Sequence, residues 1–144
     1  MLKQLKSLTI VVRKQDEALR WYTEKLGFEK RDDSRSGGVR WLTIGIPGQK
    51  NPTIALIEPS VRQHGAEAAK AMETQIGRNP TWVLEVADCR KLVYGLMREG
   101  VKVRTESKNE PWGVHALIED LYGNLFDLTQ PWEANGDSNG KSSK

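Results

Sequence analysis

What most constrains this 144-residue chain is a pattern of apolar residues that occurs twice. Ser7-Leu8-Thr9-Ile10-Val11-Val12 alternates with period 2 and predicts a strand with Leu8, Ile10 and Val12 on one face. Ala18, Leu19, Tyr22 and Leu26 then recur at helical spacing, and Gly27 predicts the end of that helix. Phe28 to Arg31, Val39 to Ile44 and Thr53 to Ile57 predict three further strands, separated by turns at 34–38 and 47–52. The order then repeats. Thr81 to Val86 predicts a strand, and Asp88 caps a helix carrying Leu92, Val93, Leu96 and Met97 that ends at Gly100. Val101 to Thr105, Val114 to Glu119 and Leu125 to Thr129 predict strands, with turns at Pro111-Trp112-Gly113 and 120–124. An Ala-rich stretch, 61–76, predicts one connecting helix. Two copies of a strand-helix-three-strand unit predict an α+β fold built from two βαβββ modules.

The remaining bounds are simple. Residues 1–132 are expected to form a single domain: module one about 1–60, the connecting helix about 61–77 and module two about 78–132. Residues 133–144 are Asn, Gly, Ser and Lys with almost nothing apolar, which predicts a disordered polar tail. Cys89 is the one cysteine, so no internal disulfide forms and a reducing compartment, the cytoplasm, is expected. No apolar run is long enough to cross a bilayer. The net charge of +3 raises the question of nucleic acid. Basic residues are spread among acids, and the densest group, Val101-Lys102-Val103-Arg104, alternates like a strand. A solvated surface explains this better than a phosphate track, so neither nucleic acid nor membrane is expected as a partner.

The phrase Ala18-Leu19-Arg20-Trp21-Tyr22-Thr23-Glu24-Lys25-Leu26-Gly27-Phe28 is followed in the second copy by Pro111-Trp112-Gly113 and Asp120-Leu121-Tyr122-Gly123-Asn124-Leu125-Phe126-Asp127-Leu128. In these segments the chain resembles the vicinal oxygen chelate superfamily, the glyoxalase, bleomycin resistance protein and dioxygenase fold, over nearly all of residues 5–131. It departs from the usual pattern at Lys14, where an acid commonly opens the first helix, and at Leu121, where proline is usual. The resemblance implies that the two modules form a cup-shaped mixed sheet with helices outside. Alternation would turn Ser7, Thr9 and Val11, Ala55, Thr81, Val83 and Glu85, and Leu125, Asp127 and Thr129 toward the cup. Metal-binding relatives carry His or Glu at four cup positions, which here hold Ser7, Ala55, Thr81 and Asp127. A transition metal needs several imidazoles or carboxylates converging on one point, and only Asp127 could serve, so no metal or other cofactor is expected.

Other residues suit a ligand. If Ala116 and Ile118 pack on the core, His115, Leu117 and Glu119 face the cup, where His115 is a general base, an anion contact, or a half-exposed histidine at a sheet end. Glu85 is an acid in phase with the inward face, either held by a functional partner or standing in water at the strand end. Trp41 and Trp112 could wall the cavity, although a tryptophan such as Trp41 is more often core. Arg40 could meet a carboxylate. Asp127 either orients a ligand donor or is hydrogen-bonded locally. Cys89 opens the second helix without a redox motif and reads as inert, and His64 reads as surface. The expected function is binding of a small organic molecule in a metal-free cup by a homodimer. The ligand contacts would be Ser7, Thr9, Arg40, Trp41, Thr81, Glu85, Trp112, His115, Asp127 and Thr129. The alternative is a lyase, isomerase or dioxygenase-type enzyme with an unconventional site using His115 or Glu85.

Overall fold

The structure, a computed structural model, describes residues 1–133. The expected tail therefore lies, Glu133 apart, outside the described residues. The chain divides into two compact units, the first Met1–Asn79 and the second beginning at Pro80.

The first unit runs β1 (Ser7–Val11), α1 (Gln15–Leu26), β2 (Glu29–Ser36), β3 (Val39–Gly45), β4 (Thr53–Ile57), α2 (Val61–His64) and α3 (Ala66–Gln75). Its sheet has the order β1-β4-β3-β2, with β1 parallel to β4 and the other pairs antiparallel. A parallel neighbour requires a crossover, and α1 lies within the connection that supplies it. The apolar residues picked out by the two periods meet on the helix side of the sheet. Ile10, Val12, Ala18, Tyr22, Leu42, Ile44 and Leu56 are fully buried, and the Tyr22 and Phe28 rings meet edge to face at 5.5 Å. Gly27 stops α1 in the left-handed conformation, φ 75°, and its N–H closes on the carbonyl of Tyr22. Buried Gln15 ties α1 to the sheet: its amide donates to the Leu56 carbonyl at 2.7 Å and its backbone N–H donates to Glu58 at 2.7 Å.

The second unit repeats the order as β5 (Trp82–Glu85), α4 (Cys89–Arg98), β6 (Val103–Glu110), β7 (Gly113–Glu119) and β8 (Leu125–Pro131). Its sheet order, β5-β8-β7-β6, is the same arrangement with β5 parallel to β8. Asp88 caps α4 by accepting from the Lys91 N–H at 3.1 Å. Val93, Leu96, Ala116, Ile118, Phe126 and Leu128 form the core. The architecture is thus two four-stranded mixed sheets with helices, the α+β class expected of two βαβββ modules.

Four details differ from the expectation. The connecting helix is two, broken at Gly65, whose φ of 88° and ψ of 160° leave the helical region. β2 extends to Ser36 although Glu29–Ser36 contains no apolar residue, because an edge strand needs only backbone partners on one side. β6 begins at Val103 and runs to Glu110, five residues beyond the expected end. Thr81 falls just outside β5.

Candidate functional site

The register of the second sheet assembles one polar and one mixed row on a single face. Glu85, Thr129, His115 and Lys108 are successive cross-strand partners from β5 to β6. Val83, Asp127, Leu117 and Thr105 form the adjacent row. Because Ala116, Ile118, Phe126 and Leu128 are buried on the other face, alternation puts these rows on the face without α4.

His115 is the centre of this face and is 9% exposed. Its Nδ1 lies 3.1 Å from both carboxylate oxygens of Asp127, a diagonal neighbour across β7 and β8. Asp127 Oδ1 also accepts from the Thr129 hydroxyl at 2.8 Å. On the other side, His115 Nε2 lies 3.4 Å from Glu110 Oε2. With Nδ1–H donated to Asp127, a neutral His115 turns an acceptor nitrogen toward a carboxylate. A second ring proton, or a donor from a ligand, satisfies both groups. The Trp112 ring stands against His115 edge to face, 5.9 Å between centroids, and remains 54% exposed. Trp132 fixes this corner by donating its indole N–H to the Glu110 carbonyl at 3.0 Å and its backbone N–H to the Trp112 carbonyl. Val83, 66% exposed, adds open apolar surface.

The other expected residues are placed differently. Glu85 ends β5 and is exposed, in the same row as Thr129 and His115. Thr81 is exposed on the approach to β5. In the first unit Ser7 and Thr9 pair with Thr53 and Ala55, and Thr43 pairs with Ala55, so these share a face. Trp41 lies in phase with Thr43 on β3 and is 42% exposed, so it is not a core residue. Arg40, expected as a residue that could meet a carboxylate, is out of phase with Trp41 on β3, since neighbours on a strand point to opposite faces. Its guanidinium is taken up internally, by both oxygens of Asp33 at 2.8 and 2.9 Å and by Asp16 on α1 at 2.7 Å. The Arg40 hydrogen bonds hold the Asp33 carboxyl at about 2 and also lower Asp16. Cys89 is fully buried, and burial raises its thiol pKa despite the helix start beside it. His64 is half-buried and accepts from the Ser60 N–H at 3.2 Å, where a surface residue was expected.

Sequence reasoning missed Glu110, which sits where the strand was thought to have ended. The available signal was the alternation of burial-compatible residues past Thr105, through Ser107. A metal does not fit these side chains. Glu110 and Asp127 address opposite nitrogens of His115 and so do not converge. Among the described residues there is no group of three or more His, Cys, Asp or Glu that could hold a metal ion.

Two βαβββ units, each a four-stranded mixed sheet with its crossover helix, define a class of α+β proteins. The profile of the Glyoxalase/Bleomycin resistance protein/Dioxygenase superfamily matches residues 4–128, and the chain belongs to that superfamily. It is 36% identical over 124 residues to YurT of Bacillus subtilis strain 168, covering 85% of this chain and 94% of YurT. Among solved structures, UcmS2 shares 33% identity with a TM-score of 0.79, covering 90% of this chain and 98% of UcmS2. TnmS3, an antibiotic binding protein from Streptomyces sp. CB03234, shares the fold at 23% identity and a TM-score of 0.69, over 90% of this chain and 97% of TnmS3. No helix among the described residues is long and apolar enough to cross a membrane.

Proposed function

We propose that this protein binds a small, largely apolar or aromatic organic molecule on the open face of the second sheet, without a metal. The observation that carries this is the His115–Asp127–Thr129 chain of hydrogen bonds set among exposed Trp112 and Val83. Ligand sites combine apolar walls that supply area with a few polar groups that set orientation. Asp127 and Glu110 favour a ligand presenting a hydroxyl or amine over a bare anion. TnmS3, described as an antibiotic binding protein, supports the reading only through its fold. Glu85 and Thr129 would extend the contact along the polar row. The protein would act as a homodimer in the cytoplasm, where a single buried thiol is at home.

The test is a titration of chelator-treated protein with a panel of small aromatic compounds, followed by tryptophan fluorescence and NMR. Binding is expected without added metal, weakened about tenfold or more by Trp112→Ala and by Asp127→Ala, roughly 1.4 kcal/mol each. Ligand shifts that avoid residues 83–85, 112–117 and 127–129 would overturn the reading.

The contact between His115 and Asp127 favours a second reading, an enzyme in which His115 is a general base oriented by Asp127. It predicts the opposite separation: His115→Ala abolishes turnover while binding is retained.

A further inference from the structure

We propose that the first unit carries a separate site for a small oxyanion, a carboxylate or a phosphate group, held by Arg35 and Arg62. A cavity of about 160 Å³ opens where β4 runs through Glu58 into α2, beside Gln15 at the start of α1. Three arginines are among the residues that line it, Arg35, Arg40 and Arg62. They are not equivalent. Arg40 is saturated by Asp33 and Asp16, and structural pairing accounts for it fully. Arg35 and Arg62 make no hydrogen bond or ion pair among the described residues, and Arg35 acts on Asp16 and Asp33 only through its charge.

Arg62 reaches the turn before β3. A methyl group placed on Gly38 would lie 2.7 Å from Arg62 Nη1, so the guanidinium lies over the turn at the cavity. Gly38 also has φ 81°, a conformation that L side chains rarely adopt. Glu58 is the acid in the lining, and one of its oxygens is already occupied by the Gln15 N–H. In the lining itself three arginines stand against the one carboxylate of Glu58, while Asp16 and Asp33 lie outside it and are taken up by Arg40. The guanidinium fork matches the oxygens of carboxylate and phosphate, which an ammonium does not. The volume is below the range of about 300–1,000 Å³ typical of drug-sized ligands, and so fits a small anion or one anionic group of a larger molecule.

The experiment follows residues 35–40 and 58–63 of the full chain by 15N NMR during separate titrations with inorganic phosphate and sodium malonate. Sodium chloride at matched ionic strength is the control. Saturable shifts confined to those residues are expected from at least one oxyanion and not from chloride. Phosphate alone assigns the tetrahedral class, malonate alone the planar one. Arg62→Gln and Arg35→Gln should each weaken the response about tenfold, the loss of roughly one charge-assisted hydrogen bond. Both side chains are exposed, so the variants should melt with the parent and a lost response cannot be laid to unfolding. No saturable shift from either oxyanion, or shifts unchanged in the double variant, would overturn the site.

Discussion

Arg40 shows how one side chain can be assigned chemically and still belong to the framework. Its forked bond to Asp33 and its contact with Asp16 bind β2, β3 and α1 together. The pairing lowers the Asp33 pKa from 3.8 to about 2, so the native state binds that proton more weakly than the unfolded chain. The contribution to stability is therefore present above about 3.8 and is lost as pH falls toward about 2. Arg40→Gln should destabilise the protein at neutral pH and flatten the dependence of its melting temperature on pH through that window. An unchanged acid profile would show that the pair contributes nothing. Gly113 is a different kind of fixed point. A side chain there would overlap the Gln130 carbonyl and come within 2.9 Å of Pro131 Cα, across the paired strands β7 and β8. Backbone cannot yield as a flexible side chain would, so Gly113→Ala should cost about 3 kcal/mol, the upper end for overpacking, in urea unfolding. A cost below about 1 kcal/mol would mean that the hairpin corner is looser than drawn.

Among the elements, α4 is the one whose local sequence accounts most directly for its formation. Asp88 accepts from the Lys91 N–H, and Cys89, Val93 and Leu96 are buried along one stripe. Asp88→Ala should remove about 1 kcal/mol of stability, and Asp88→Asn should restore most of it. The helices and the apolar strands were legible because burial imposes a period on the sequence, as in Leu8, Ile10 and Val12 or Phe126 and Leu128. The polar strands were legible only at their starts. β2 reads Glu29-Lys30-Arg31-Asp32-Asp33-Ser34-Arg35-Ser36, an edge whose register shifts between Lys30 and Asp33, and it leaves no apolar trace. The same blindness hid the end of β6 and with it Glu110. His115, Asp127 and Thr129 could be set on one face from alternation alone. That Asp127 would reach His115 diagonally, and that Arg40 would turn to α1, depended on register and on partners distant in sequence.

At the scale of the whole molecule the open question is assembly, and the surface argues for a symmetric homodimer. Each four-stranded sheet ends on strands with unpaired sides, β1 and β2 in one unit and β5 and β6 in the other. Such edges are managed by charge, by bulges or by a covering chain. β2 uses the first two devices, with its run of charged residues and its register shift. β5, Trp82-Val83-Leu84-Glu85, has no bulge and carries its one charge at its end, with Val83 66% exposed. On the opposite face of that sheet α4 leaves Tyr94 and Met97 open, at 64% and 49% exposure. A two-fold axis beside β5 would pair this edge with its own copy and cover both edges in one closed contact. Light scattering on the full chain should therefore give twice the chain mass of 16.2 kDa. Val83→Lys, which puts a charge on the exposed position of β5 without touching the core, should shift that mass toward the monomer. A parent that scatters as a monomer at high concentration would count decisively against the dimer. A dimer untouched by Val83→Lys would move the interface away from β5.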